Sequence, residues 1–430
     1  MTTKEICSGL SRPLVVSALT LLLVASSSAA GHETVLHVFQ GKPGEHPVGG
    51  LVSDPAGNLY GTTTEGPKGG ACSGGYPGCG VVFRLTRDST GWSYSVIYKF
   101  KGVPDGQYPT GNLIFDAAGN LYGTTLYGGS AGAGSVFEVT PTSGRGWTES
   151  TLYSFQGGTD GAFPVGTIVF DTAGNLYGVT ENGGTGCDFS CGTVFELSPG
   201  SGGWSEKVLY SFQGQLQNPD AAYPTGGLII DSSGNLYGAT AGGGAKRCSG
   251  SFGGCGTIFE LSRVSGGWVE SVLYPFQGGS DGQEAMGVVL DPSGNLFGTT
   301  QEGGSQANCG TVFKLTPHAG GKWTNNVLHR FTCGNDGGAP AAGVVLDAGG
   351  NVYGTAQVGG TYGTVFKLAL VSGGKWAFRV LHGFTGNRDG GDPEGSVILD
   401  ATGTHLYGTT NLAGDAHYFS GLGMVFEITP

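Results

Sequence analysis

The chain has 430 residues, a formal net charge of −12 and 87 glycines. That charge disfavours nucleic acid and anionic membrane surfaces as partners, because phosphate binding needs clustered Lys and Arg that 20 scattered basic residues do not supply. Glycine together with 19 prolines would suggest low complexity or disorder if it came without a period. The period is present, and it excludes that reading.

In chain order, Lys4 and Arg12 precede the apolar stretch Leu14 to Ala25, which is followed by the small-residue cleavage pattern Ser28-Ala29-Ala30. Residues 1–30 therefore read as a secretory signal peptide with Gly31 as the mature start. The apolar run is too short to span a bilayer comfortably, and Cys7 stands before it, which argues against a lipoprotein attachment site. No membrane insertion is expected after cleavage.

Next comes Glu33 to Phe39, a β-rich segment, and then a motif that recurs about every sixty residues. Gly-Asn-Leu-Tyr-Gly stands at Gly57 to Gly61, Gly119 to Gly123, Gly174 to Gly178 and Gly234 to Gly238. It returns with Phe297 at Gly294 to Gly298, with Val352 at Gly350 to Gly354, and degenerately at Thr404 to Gly408. Within one copy the order is an apolar run ending in Asp116, a Gly-Asn turn, Leu121 to Thr125, a glycine-rich loop, Gly134 to Thr140, a Gly-Trp turn, and Thr151 to Phe155. Short runs rich in Val, Ile, Thr, Tyr and Phe, bounded by Gly, Asn, Asp and Pro, are strands. Each copy thus predicts four antiparallel strands, a to d.

Such repeats without a helical period predict an all-β fold, a seven-bladed β-propeller of four-stranded antiparallel blades spanning residues 31–430 as one domain. The chain stops at Gly423 to Pro430, which matches strand c, while residues 33–39 match strand d. The N-terminal strand is expected to complete the last blade and remove the free edges.

Eight cysteines follow the leader, in agreement with an oxidising compartment. Cys72 with Cys79, Cys187 with Cys191 and Cys248 with Cys255 are local pairs in b-to-c loops. Cys309 and Cys333 remain, in loops that share a face, and are expected to join. A cysteine metal site would need loops of separate blades to converge and shows no Cys-x-x-Cys pair; no metal or cofactor is expected.

Residues repeated around a ring are structural. Asp54, Asp116, Asp171, Asp231, Asp291, Asp347 and Asp400 close strand a as turn acceptors. Trp92, Trp147, Trp204, Trp268, Trp323 and Trp376 read as wedges between blades, and His37, His329 and His382 as packing residues in a tyrosine position. A second aspartate recurs at Asp105, Asp160, Asp220, Asp281, Asp336 and Asp389, either as a turn former or as a cation-attracting rim, with turn formation favoured because isolated carboxylates do not build a calcium site.

Functional variation falls in the d-to-a loops, which lead to the channel mouth. The slot before the loop proline holds His46, Tyr108, Phe163 and Tyr223, then Ala339 and Asp392; the fifth copy is one residue shorter, with Gln283 and Glu284 nearby. The candidate ligand-binding residues are His46, Tyr108, Phe163, Tyr223 and Asp392. Aromatic slots would stack on sugar rings and acidic ones take hydroxyls; the competing and favoured reading is that the aromatics cover the core. No His-Glu-x-x-His, phosphate loop or EF-hand occurs, and Gly128-Gly129-Ser130-Ala131-Gly132 fits the nucleophile-elbow pattern only as a chance match with no following helix.

Gly-Asn-Leu-Tyr-Gly-Thr-Thr, the Gly-Gly loop, Gly-Thr-Val-Phe-Glu-Leu and Leu-Tyr-Ser-Phe-x-Gly-x-x-Asp-Gly resemble the GloVer tandem repeat of exported bacterial proteins, from about residue 33 to Pro430, and the strand plan is similar to NHL-type propellers. The resemblance implies an exported protein without assigned catalytic residues. Some members carry a C-terminal sorting anchor; none follows strand c here, which favours a periplasmic or secreted soluble form. The sequence thus favours a non-catalytic monomeric propeller that presents a binding surface to a glycan, protein or cell-envelope partner. The alternative is an extracytoplasmic polysaccharide lyase or hydrolase with its active site at the channel mouth.

Overall fold

A single carboxylate organises each a-to-b hairpin. In the second copy Asp116 Oδ1 accepts the backbone N–H of Ala118 (2.9 Å) and Asn120 (2.8 Å), while Oδ2 accepts the Asn120 amide (2.8 Å) and the Tyr122 hydroxyl (3.1 Å). The turn is therefore built from its own side chains before any tertiary contact forms. Asp54, Asp171, Asp231 and Asp347 do the same. Burial alone would raise the Asp54 carboxyl, but hydrogen bonds from Asn58 and Tyr60 outweigh it and hold it below the usual range.

The structure is a computed structural model that describes residues 31–430 except 41–43, 67–71, 73–77, 145, 188–189, 215–219, 245–247, 249–252 and 414–420. The leader expected at residues 1–30 lies outside the described residues. The fold is an all-β propeller of four-stranded antiparallel blades, with no α-helix among the described residues. Val52–Ser53, Leu59–Thr63, Val81–Asp88 and Gly91–Lys99 form one sheet in chain order. The next has Gly106–Pro109 and Ile114–Phe115 side by side against Leu121–Gly128, then Ser135–Pro141 and Trp147–Ser154.

The third and fourth copies do not form separate sheets. Ala162–Phe170 and Ala221–Ile230 meet through one parallel bridge, Thr167 to Gly227, which fuses the two copies into an eight-stranded sheet. Close approach of backbone without side chains causes the fusion: a Cβ on Gly166 would stand 2.1 Å from the Gly227 nitrogen. Two further four-stranded sheets follow, Gln283–Leu290 to Lys322–Arg330 and Val345–Leu346 to Lys375–Gly383. In the last sheet, Ile398–Leu399, Leu406–Thr410 and Met424–Thr429 are completed by His32–Val38, whose His32 lies opposite Thr429 and Val38 opposite Met424. His32–Val38, the first strand among the described residues, thus occupies the outer edge of the last blade.

The core lies between neighbouring copies. Tyr60, Val82 and Phe100 of the first copy pack with Leu113, Leu121 and Phe137 of the second, and Leu59 and Phe83 of the first pack with Tyr407 and Val425 of the last. Trp147 meets Tyr60 of the preceding copy edge-on at 6.2 Å, and Trp268 meets Tyr177 of the preceding copy at 6.0 Å, so these two tryptophans sit between consecutive copies. His37 stacks on Tyr94 at 4.1 Å and His329 on Phe378 at 3.7 Å. Four disulfides are present among the described residues: Cys72–Cys79, Cys187–Cys191, Cys248–Cys255 and Cys309–Cys333, the last with a Cα separation of 5.6 Å.

Candidate functional site at the channel mouth

The slot residues share one backbone state. His46, Tyr108, Phe163, Tyr223, Ala339 and Asp392 have φ of 58°, 63°, 59°, 56°, 46° and 57°, and Glu284, with φ 59°, occupies the position in the fifth copy. The missing residue of that copy falls after the slot, where Met286-Gly287 stands for the three residues Thr225-Gly226-Gly227. Left-handed backbone at a non-glycine residue costs roughly 1–2 kcal/mol, and a repeated hydrogen bond stabilises it here. Each slot N–H donates to a carbonyl of the preceding copy: Tyr108 to Cys79 (2.9 Å), Phe163 to Ala133 (2.8 Å), Tyr223 to Cys191 (3.0 Å), Glu284 to Cys255 (3.0 Å), Ala339 to Cys309 (2.8 Å) and Asp392 to Tyr362 (2.7 Å). His46 donates to Leu422 of the last copy (2.9 Å). Four of the seven acceptors are half-cystines, so the disulfides anchor the joints on which the slots rest.

Ala339 has a side chain too small to bind anything, which isolates the backbone cost. Ala339→Gly is expected to stabilise the fold by about 1 kcal/mol, seen as a higher denaturation midpoint; an unchanged or lower midpoint would mean the slot conformation carries no strain.

Side chains at the mouth fall into two groups. Tyr108 and Phe163 flank Tyr127, with ring centroids 6.0 and 5.4 Å from it, as an aromatic arc. At the junction of the last and first copies, His46 Nδ1 lies 2.8 Å from Asn411 Oδ1. The Asn411 amide nitrogen donates to Glu394 Oε1 (2.9 Å) and approaches Asp392 Oδ2 (3.4 Å). His46 and Asp392, far apart in sequence, are thus joined through Asn411, while Tyr108 belongs to the other group.

A cavity of about 370 Å³ lies on the channel, walled by backbone and small side chains from all the repeats, among them Val48, Thr110, Thr225 and Ala341. Of the five residues expected to bind ligand, only Tyr223 lines it; His46, Tyr108, Phe163 and Asp392 stand outside its wall. The physical reason is the left-handed turn. It is followed by one residue, a proline in six of the seven copies, and the wall comes from the residue after that. Glu394 occupies this wall position in the last copy, and Glu181 lines the same cavity.

Burial pushes Glu394 up to about 7, helped by the nearby Asp392 and opposed by the Asn411 hydrogen bond. Burial also raises Glu181, and burial with Glu302 nearby raises Glu284 to about 7. The mouth therefore offers carboxyls able both to donate and to accept a proton near neutrality, beside aromatic faces.

Sequence reasoning passed over Glu394, Asn411, Glu181 and Tyr127. A signal was available: with the copies aligned on Gly-Asn-Leu-Tyr-Gly, the Glu394 column reads Val48, Thr110, Val165, Thr225, Met286, Ala341, and only the last copy carries a charge. The recurrent loop aspartates are spent locally. Asp105 accepts the Tyr98 hydroxyl (2.9 Å) and the Lys101 N–H (2.9 Å), and Asp160, Asp220 and Asp281 likewise take the hydroxyls of Tyr153, Tyr210 and Tyr274.

Among solved structures, the chain is similar to the periplasmic gluconolactonase of Pseudomonas aeruginosa, at 14% identity over 80% of this chain and 85% of that one, with a TM-score of 0.46. A protein assigned as a gluconolactonase gives 14% identity over 69% and 84% of the two chains and a TM-score of 0.37. Superpositions this loose bear on neither the site nor the chemistry of this chain. No curated protein matches it. The profile of the Gloeobacter/Verrucomicrobia repeat matches residues 23–252 and 247–430. Its two adjoining matches take in every Asp-Asn-Tyr hairpin and every slot described above, and the chain belongs to the Gloeobacter/Verrucomicrobia repeat family.

Proposed function

We propose that this protein is an exported, monomeric, seven-bladed propeller that binds carbohydrate at its channel mouth without transforming it. The observation that carries the reading is the presence at the mouth of an aromatic arc, Tyr108, Tyr127 and Phe163, and of a set of hydroxyl-binding groups, Glu394, Asn411 and Asp392, of which Glu394 lines the cavity of about 370 Å³ and the others lie outside its wall. Aromatic faces take the apolar face of a sugar ring, and carboxylate and amide groups take its hydroxyls. The blade count rests on the seven slot hydrogen bonds between consecutive copies, with the eight-stranded sheet taken as two blades. Seven hydrophobic clusters among the described residues, each drawing on two consecutive copies, agree with it. Export rests on the four disulfides and the residues 1–30 pattern.

The purified protein should show saturable binding on a glycan array. A Tyr108→Ala, Phe163→Ala, Tyr223→Ala triple variant that keeps its fold should lose at least about tenfold in affinity, one such contact being worth about 1 kcal/mol. A folded protein that binds no glycan would overturn the carbohydrate reading.

Catalysis, as a polysaccharide lyase or hydrolase, is the second reading, and Glu394 is the observation that favours it. A carboxyl raised to about 7 beside Asp392 has the character of a general acid. Release of shortened products from a bound glycan, abolished in Glu394→Gln with binding retained, would establish this reading over the first.

A further inference from the structure

The first copy carries a charge arrangement that no other copy repeats. Glu45 and Glu65 stand directly opposite one another in an antiparallel bridge, with Glu45 N–H donating to Glu65 O (3.0 Å) and Glu65 N–H to Glu45 O (3.2 Å). The corresponding pairs elsewhere are Gln107 with Tyr127, Ala162 with Asn182, Ala222 with Gly242, Gly338 with Val358 and Gly391 with Leu412. The fifth copy shows how the fold accommodates a glutamate here: Gln283 faces Glu302 and donates its amide N–H to that carboxylate at 2.6 Å. In the first copy the amide is replaced by a second carboxylate. Glu45 is only 9% exposed, so a cation brought between the two carboxylates would be weakly screened by water.

His46 adds a nitrogen donor to the two carboxylates. Its ring nitrogen and one oxygen from each of Glu45 and Glu65 all lie within 4.8 Å of one another. The orientation of the His46 ring follows from its other neighbours. Asn411 must direct its NH2 group toward Glu394 and Asp392, since both are acceptors, which leaves Oδ1 facing His46 Nδ1. Asn411 Oδ1 thus accepts from Nδ1 and fixes the orientation of the ring. An imidazole oriented through one nitrogen by an outer hydrogen-bond acceptor is the arrangement found at metal-ligating histidines.

We propose that Glu45, His46 and Glu65 bind a first-row divalent transition ion of the Zn²⁺ type. One imidazole with two carboxylates suits such an ion better than Ca²⁺ or Mg²⁺, which take oxygen ligands in larger number. Ligand atoms around an ion with bonds of about 2 Å stand roughly 3 Å apart, so side-chain rotations of about 1 Å close the set. Three protein ligands leave an open position at the channel mouth. The site departs from the sequence reading, which expected no metal, and it stands independently of whether the mouth binds carbohydrate.

Tag-free full-length protein, stripped with a chelator and checked for fold by circular dichroism, is titrated calorimetrically with ZnCl2 and separately with CaCl2. One Zn²⁺ per chain with a micromolar or tighter Kd and no matching Ca²⁺ isotherm is expected. Glu65→Gln and His46→Gln should each weaken Zn²⁺ by at least about tenfold, as should Asn411→Leu through loss of ring orientation, while Glu302→Gln leaves the isotherm unchanged. X-ray absorption of the loaded protein should show nitrogen and oxygen ligands with one imidazole. No saturable heat up to about 100 μM Zn²⁺ would overturn the site; equal affinity in Glu65→Gln would place the ion elsewhere and overturn it as well.

Discussion

Raising the pH from 6.5 to about 8.5 is expected to lower the melting temperature by about 5 °C, through buried carboxyl pairs at four of the seams between consecutive copies. Glu206 faces Asp160, Glu270 faces Asp220, Glu33 faces Asp389, and Glu149 faces Asp105 with Lys101 nearby. Burial first, and the facing aspartate second, pushes Glu206 and Glu33 up to about 7 and Glu270 to about 8, and raises Glu149. One carboxyl oxygen each of Glu33, Glu206 and Glu270 is buried with no hydrogen-bond partner. The facing aspartates are committed to Tyr98, Tyr153 and Tyr210 and, at Asp389, to the Thr385 N–H.

These glutamates have raised folded-state pKa values, so the native state holds protons that the unfolded chain has released. Their contribution is fully present below the unfolded value of 4.5 and is lost as pH rises through about 7 to 8. The histidines act in the opposite sense. Burial lowers His37 to about 4 and lowers His329 and His382 against the pull of Asp336 and Asp389, so the native state holds fewer of their protons below 6.5, and stability from them rises with pH up to that value. The two trends oppose below 6.5 and only the glutamate loss continues above it. With screening, a total on the order of 4 kcal/mol is at stake. Calorimetric melting from pH 5 to 9 checks this, and a Glu206→Gln, Glu270→Gln double variant should flatten the alkaline limb. A melting temperature that holds or rises above pH 7 would exclude charged carboxyl pairs at the seams.

Gly166→Ala is expected to cost about 4 kcal/mol or to abolish folding, whereas Gly174→Ala should cost only about 1–2 kcal/mol. Both glycines have positive φ, 66° and 86°, so both substitutions incur the same backbone penalty. They differ in what a methyl group meets. At Gly174 nothing lies within 4 Å, while at Gly166 the new atom would be 2.1 Å from Gly227 N and 2.4 Å from Gly226 C. Those are backbone atoms of the adjoining inner strand, which cannot rotate aside as a flexible side chain would. The difference between the two variants in urea midpoint therefore measures how closely the inner strands approach around the channel. Equal costs would show that the inner strands part easily and that the Thr167 to Gly227 bridge is incidental.

The residues that disclosed the fold are those whose chemistry acts within one copy. Asp116 reaches Asn120 and Tyr122 across six positions of sequence, so the hairpin is written locally and repeats wherever the local string repeats. The edge strand was also legible, because residues 33–39 match a strand that the last copy lacks, and His32–Val38 does pair with Met424–Thr429. The fusion of the third and fourth copies into one sheet was not legible. It follows from how near two separate inner strands come, and no string of either copy encodes that spacing. The mouth divides in the same way. The column holding His46, Tyr108, Phe163 and Tyr223 stood out as variable, but Asn411 lies 365 positions from His46 and in a different column.

Sequence by itself determined the all-β propeller, its four-stranded units, the family and the cysteine pairs, since periodic patterning and short-range hydrogen bonding act along the chain. Tertiary structure alone decided which side chains wall the cavity, that Asn411 joins His46 to Glu394 and Asp392, and that Glu206 meets Asp160 and Glu270 meets Asp220 across seams. Each of these depends on the contact of one copy with the next. Proton affinities depend on burial and on charges a few ångströms away in space, and that distance exists only once the sheets have packed around the channel.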